Sequence, residues 1–262
     1  MKIYVNGELR EIENHNILEI KKDNQIAIVD GFSVKDDYIL NEYDRVILVD
    51  KKSIPKKEEL DMLISSRNGE KINKCLQNKV VAICGLGGLG SNIAISLSRV
   101  GVKNLLVVDY DIVDITNINR QNYFLQDLGK YKTDAIEYWI KNINPYISVV
   151  KINKKLDESN VLDILSGADI IVEAFDDAKA KAMLVNNILT NTDKVVIASS
   201  GMAGFYSCND IKTKKINDRL YIVGDLVSEA KVGEGLMSPR VLVNAGHQAN
   251  MVLRLLLNIT EA

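Results

Sequence analysis

The sequence predicts an α/β chain whose larger part is a doubly wound parallel sheet, preceded by a small β-rich module. From Val80 onward, short apolar runs (VVAIC, NLLVVD, ISVVKIN, DIIVEAF) alternate with stretches at helical spacing, the pattern of repeated strand–helix units. Before Lys52 the runs are strand-like with one short helix between them. At 262 residues there is room for a nucleotide-binding domain and a small extra module, because single domains run to about 100–200 residues.

In chain order, Ile3 and Val5 alternate with polar neighbours, Asn6-Gly7 supplies a turn, and Leu9 and Ile12 return, so the chain opens with a hairpin. NILEIKKDN reads as a short helix, and QIAIVDG at 25–31 and DRVILVDK at 44–51 read as two further strands. This order fits a β-grasp, or ubiquitin-like, fold over residues 1–53. A proline and a charged stretch with apolar residues at helical spacing follow, so 54–79 is read as linker and helix and 80–262 as the second domain. There the strand 80–84 leads to a helix from Ser91 to Val100, the strand NLLVVD, a helix near 132–143 and the strand ISVVKIN. A helix near 158–165, the strands DIIVEAF, KVVIAS and LYIVGD, and a long apolar-faced helix within RVLVNAGHQANMVLRLLLNI complete it. Together these describe a Rossmann-like domain.

Composition narrows the function classes. With 47% apolar and 26% charged residues the chain is ordinary globular protein. A net charge of -2, from 33 basic and 35 acidic residues, gives no footprint for nucleic acid, so any anion site is local. The start MKIYVNGELREI alternates charged and apolar residues, and no later run is long enough to span a bilayer; a cytoplasmic protein with no membrane partner is expected. Cys75, Cys84 and Cys208 are too few for a disulfide framework or a four-cysteine zinc site, and no zinc is expected.

The chemistry concentrates after the strand 80–84. Gly85, Gly87, Gly88 and Gly90 allow a tight turn whose N–H groups approach a phosphate at a helix N-terminus. Asp109, at the end of the next strand, is placed to accept from ribose hydroxyls. A dinucleotide enzyme, an NAD(P)-dependent oxidoreductase, would use the same features. The polar stretch that follows carries Asp111, Asn117, Arg120, Gln121 and Lys132, which hydride transfer does not need. A polyphosphate does need cationic donors, and Arg120 and Lys132 suit that task. Asp176 and Asp177 fall at the carboxyl edge of the sheet, where one carboxylate would hold Mg²⁺ with the phosphates.

The motifs GLGGLGSN, VVDYDIVDITNINRQ, GKYK and EAFDDA, with ASSGMAG, EGLMSPR and GHQANMVLRLLL, resemble the ThiF/MoeB/HesA family, relatives of the ubiquitin-activating enzymes, over roughly residues 60–257. The likeness is greatest to a short subfamily of ThiF-type sulfur carrier adenylyltransferases of thiamine biosynthesis. The resemblance implies attack of a carrier's terminal glycine carboxylate on the α-phosphate of ATP, with Mg²⁺, releasing pyrophosphate. It places the ATP site on Gly87, Gly88, Asp109, Asn117, Arg120, Lys132 and Asp176, and assigns catalysis to Arg120, Lys132 and Asp176. It also implies a homodimer, with Arg67 donated across the interface, and a separate ThiS-like partner ending in Gly-Gly. A carrier for molybdopterin or cysteine synthesis is the rival within the family.

Residues 1–53 resemble ThiS itself in MKIYVNGE and DRVILVDK, but the last strand runs into LVDKKSIP rather than a free Gly-Gly. The module is therefore read as a degenerate copy with a docking, dimerising, regulatory or merely stabilising role. Cys208 is the one candidate for a covalent carrier link, with an unreactive small side chain the alternative reading. His247 reads as a hydrogen-bonded helix histidine. A non-catalytic scaffold remains the third functional class beside the adenylyltransferase and the oxidoreductase.

Overall fold

The computed structural model describes all 262 residues and divides into two compact units, Met1–Lys74 and Cys75–Ala262. In the first, β1 (Lys2–Val5) and β2 (Glu8–Glu11) form the expected hairpin, with positive φ at Asn6 (49°) and Gly7 (86°) closing it. β3 (Gln25–Val29), β4 (Phe32–Ser33) and β5 (Arg45–Asp50) complete a sheet in the order β2-β1-β5-β3-β4. β1 and β5 run parallel, as a β-grasp requires, over a core of Ile3, Val5, Ile17, Ala27, Val29, Leu40 and Leu48. The short helix is a single 3-10 turn, Ile17–Glu19, capped by the Asn16 side chain, which accepts from the Leu18 N–H.

The division between the units, at Lys74 and Cys75, lies within the stretch 54–79 read as linker and helix. Helix α1 (Lys57–Asn68) packs with the small sheet: a Cβ on Gly31 would lie 2.3 Å from the Ser66 carbonyl oxygen, and one on Gly7 3.4 Å from the Met62 sulfur. Helix α2 (Glu70–Gln77) follows.

The second unit holds a seven-stranded sheet, β11-β12-β10-β9-β6-β7-β8. Its central strands β6 (Val80–Cys84), β7 (Asn104–Val108), β9 (Ile170–Glu173) and β10 (Val195–Ser199) are parallel and nearly wholly buried, since helices cover both faces. β8 (Ser148–Ile152) lies at one edge; beyond β10 come β12 (Leu220–Gly224) and antiparallel β11 (Lys212–Asn217). β11 is absent from the sequence reading because KTKKIN is an exposed edge strand, its lysines blocking further pairing. The chain leaves β6 toward β7 and β8 and then crosses back to β9, so the order reverses between β6 and β9, the crevice where such sheets bind ligands.

Helix α3 spans Gly88–Val100 and begins three residues before the expected Ser91, because Gly90 lets the first turn press on the preceding strand: its Cβ would sit 1.8 Å from the Gly85 oxygen. α4 (Lys132–Ile143) falls where the spacing placed it, whereas the helix near 158–165 shrinks to one turn, α5 (Val161–Ile164). α6 (Ala178–Asn191) was not foreseen; only Leu184 and Ile188 are buried along it, too few to register as a periodic face. α7 (Ser238–Leu256) closes the unit. No helix is long and apolar enough to cross a membrane.

Candidate active site

A cavity of about 570 Å³ opens at the carboxyl ends of the parallel strands. Gly85, Gly87 and Gly88 line it from the β6–α3 turn, Asp109 and Asp111 from the end of β7, and Asp176 from the end of β9. Arg120, Gln121 and Lys132 line it from the segment between β7 and α4. Of the expected site residues, three are placed otherwise. Gly90 sits in the first turn of α3, where its missing side chain is a packing requirement. Asn117 faces its own turn, accepting from the Asp114 N–H at 3.1 Å. Arg67 belongs to the first unit, with its guanidinium 5.6 Å over the Phe32 ring.

The glycine turn is held from behind. Asp109, buried, accepts from the N–H of Leu86 at 2.6 Å and of Asp111 at 2.8 Å, and Tyr123 donates its hydroxyl to the Leu86 carbonyl at 2.9 Å. Burial pushes the Asp109 carboxyl above its ordinary range, with Lys132 opposing that. Lys132 reaches Asp111 at 2.8 Å, leaving two of its three ammonium donors for another acceptor.

Arg120 spends one Nη on the Thr116 carbonyl (3.0 Å) and the Asn119 side chain (2.9 Å), while its Nε is buried without a partner. Gln121 likewise has a buried, unpartnered Oε1. Both residues line the cavity, so Arg120 brings a cation and Gln121 an amide to its wall.

Lys154, Lys155 and Lys181, which sequence reasoning passed over, also line the cavity, and Glu173 lies behind Lys181. Lys154 and Lys155 directly follow β8, a position that could have marked them, and Lys155 lies 5.8 Å over the Tyr110 ring. Glu173 and Lys181 carry no comparable signal. The Glu173 carboxylate is fully buried, accepts from Lys181 Nζ at 3.0 and 3.1 Å, and accepts the Phe175 N–H at 2.7 Å; burial raises its pKa above the ordinary value. Lys181 also donates to the Ser199 carbonyl at 3.2 Å, joining the ends of β9 and β10.

Residues 61–262 match the model of the ThiF family, and residues 1–52 match that of ThiS-like ubiquitin. The chain belongs to the ThiF family. Among curated relatives of this ThiF-family chain, the tRNA threonylcarbamoyladenosine dehydratase of Bacillus subtilis is 37% identical over 144 residues, 53% of this chain and 56% of that protein. The adenylyltransferase and sulfurtransferase UBA4 of Scheffersomyces stipitis is 32% identical over 128 residues, 48% of this chain and 29% of that protein. The chain thus spans less than two thirds of these relatives. In fold it is similar to the E. coli tRNA N6-threonylcarbamoyladenosine dehydratase in complex with AMP (TM-score 0.70, 20% identity, covering 79% of this chain and 98% of that one). It is also similar to E. coli MccB with AMPCPP and MccA (TM-score 0.58, 22% identity, 80% and 66%).

In this ThiF-family chain Cys84 is buried and its thiol pushed far up by burial, so it is strand core rather than a nucleophile. Cys208 starts a 3-10 turn, Cys208–Asp210, and is half-buried. His247 Nδ1 lies 3.1 Å from the Thr213 hydroxyl, a helix histidine bonded to its neighbouring strand.

Proposed function

We propose that the chain adenylates the C-terminal glycine carboxylate of a ThiS-like sulfur carrier with ATP, as a step toward the thiazole of thiamine. The observation that carries this reading is a glycine turn at the N-terminus of α3 facing the same cavity as the cationic side chains of Arg120 and Lys132. One carboxylate oxygen attacks the α-phosphorus, the bond to the bridging oxygen breaks, and its electron pair leaves with pyrophosphate. No proton is transferred, because the attacking carboxylate is already ionised. Catalysis is then positioning and charge stabilisation: Arg120 and the free donors of Lys132 face the phosphates, with Asp111 orienting Lys132 and Asp109 meeting the ribose.

Asp176 is exposed in the cavity wall, and no cluster of three or more metal-ligating side chains exists. It would hold Mg²⁺ by one carboxylate while phosphate oxygens and water complete the shell, and the ion would offset the triphosphate charge. A homodimer in which Arg67 reaches the partner's nucleotide belongs to the same reading. A carboxylate on a tRNA, the substrate class in the name of the B. subtilis relative, would suit the same chemistry. The net charge of -2 and the ThiS-like first 52 residues favour a protein carrier.

ATP–pyrophosphate exchange, measured with and without a carrier ending in Gly-Gly, tests the proposal. Exchange should require the carrier and fall about a hundredfold or more in Arg120→Ala, corresponding to roughly 2–4 kcal/mol of barrier. Exchange driven by tRNA instead would transfer the reading to a dehydratase-type substrate. NADH binding without ATP binding would move it to an oxidoreductase.

A further inference from the structure

The cavity continues past the strands that carry the glycine turn, Asp109 and Asp176, to residues that follow β10 and β12. Across the sheet order β12-β10-β9-β6-β7-β8, the glycine turn follows β6, Asp109 follows β7 and Asp176 follows β9. A nucleotide with its ribose at Asp109 and its phosphates at Gly87 and Gly88 extends toward β9, which leaves the β10–β12 end for the second substrate.

Two loops frame that end: residues 200–206 after β10 and 225–237 after β12. Gly201, Met202 and Ala203 from the first, and Ser228, Glu229, Ala230 and Leu236 from the second, line the cavity. The Gly204 N–H donates to the Gly235 carbonyl at 2.9 Å, and the Tyr206 hydroxyl donates to Glu234 at 2.5 Å, so the loops close on each other.

Beneath them lies Arg240, on the first turn of α7 and only 2% exposed. Its Nη1 donates to the Ala203 carbonyl at 2.7 Å and its Nη2 to Asp225 at 2.8 Å. Asp225 in turn accepts the N–H groups of Val227 and Ser228, both at 2.8 Å, and the Ser228 hydroxyl at 2.7 Å. One buried guanidinium therefore ties both loops to one helix. The pairing with Asp225 offsets the cost of burying the charge, and both partners of the guanidinium belong to the loops that frame the cavity.

We propose that Arg240, acting through Asp225 and the Ala203 carbonyl, is a positioning residue for the carboxylate substrate. It fixes the two loops in register, so that a narrow, extended tail passes between them to the α-phosphate. This rests on the adenylation reading of the same cavity.

The test compares Arg240→Ala, Arg240→Lys and Asp225→Asn with the wild type in carrier-dependent exchange, alongside ATP affinity by calorimetry. Arg240→Ala should raise KM for the carrier about tenfold or more while ATP affinity stays within about twofold, because only the far end of the cavity moves. Arg240→Lys should restore part of the loss and Asp225→Asn should act in the same direction. An unchanged carrier KM in a variant that binds ATP overturns the proposal, as does an equal loss of ATP affinity. Should the wild type use no carrier, the adenylation reading fails first. Hydrogen exchange at the amides of 201–206 and 226–228 then decides the role of Arg240: faster exchange in Arg240→Ala upholds the loop-pinning role, and unchanged exchange ends it.

Discussion

At the β6–β7 end of the cavity the Asp109 carboxylate and the Tyr123 hydroxyl brace one glycine turn through its backbone groups, whereas at the β10–β12 end several side chains of α7 tie strand ends and loops together. The glycine turn, the start of α3 and Asp109 lie within 25 residues of one another, in a single strand–helix–strand unit, and the Asp109 carboxylate accepts the Leu86 N–H. The far end depends on Arg240 reaching Ala203, Asn244 reaching the Ser199 hydroxyl at 2.8 Å, and Gln248 reaching the Glu173 carbonyl at 3.1 Å. The near end is a glycine turn at a helix N-terminus, a form common to many nucleotide folds; the far end is adjustable, because exchanging a few side chains on α7 reshapes it without disturbing the sheet.

The largest expected effect comes from breaking the far end. Lys181→Met removes the cation that Glu173 is buried against, and should cost roughly 3–5 kcal/mol in denaturant unfolding. Burial already raises the Glu173 carboxyl above 4.5, so its contribution to stability is complete below that pH and is lost as pH rises through the folded-state value. Without Lys181 that value rises further. The deficit should be greatest at neutral pH and shrink on acidification toward 4.5, and a deficit independent of pH would show that Glu173 is not the cause.

Breaking the near end comes next. Gly90→Ala places a Cβ 1.8 Å from the Gly85 oxygen, and should cost roughly 2–3 kcal/mol of stability together with ATP binding. Wild-type melting in this variant would mean that the turn is softer than the comparison supposes. Asp109→Asn keeps the shape of the group but weakens its bonds to the Leu86 and Asp111 amides; ATP affinity should fall about tenfold with carrier KM unchanged. An equal shift in both constants would join the two ends that the comparison separates. The smallest effect is expected at Cys208, away from both ends: Cys208→Ser should change stability by less than about 0.5 kcal/mol and leave exchange intact, while loss of a carrier conjugate on gels would give the thiol a chemical role.

Much of the near end was legible in the amino-acid sequence. Gly85, Gly87, Gly88, Asp109, Asp111, Arg120, Gln121, Lys132 and Asp176 come to one cavity because parallel strands deliver their carboxyl ends to the same edge, so strand order alone gathers them. Asn117 and Gly90 show the limit of that logic. A polar or small residue in the right segment is equally well spent on capping a turn or on packing a helix against a strand, and spacing does not distinguish the two.

The sequence by itself determined the two folds, since a period of two before Lys52 and alternating strands and helices after Val80 each have one way to bury their apolar faces. It also determined the tight β6–α3 turn, because only glycine permits that turn to close as it does. The tertiary structure alone decided that α1 packs with the small sheet, that Glu173 meets Lys181, and that Arg240 meets Asp225 and Ala203. Glu173 and Lys181 are only 8 residues apart and Arg240 and Asp225 only 15, so separation along the chain is not what hides these pairs: which of many carboxylates a buried cation finds depends on the packing of whole helices rather than on any local pattern of residues.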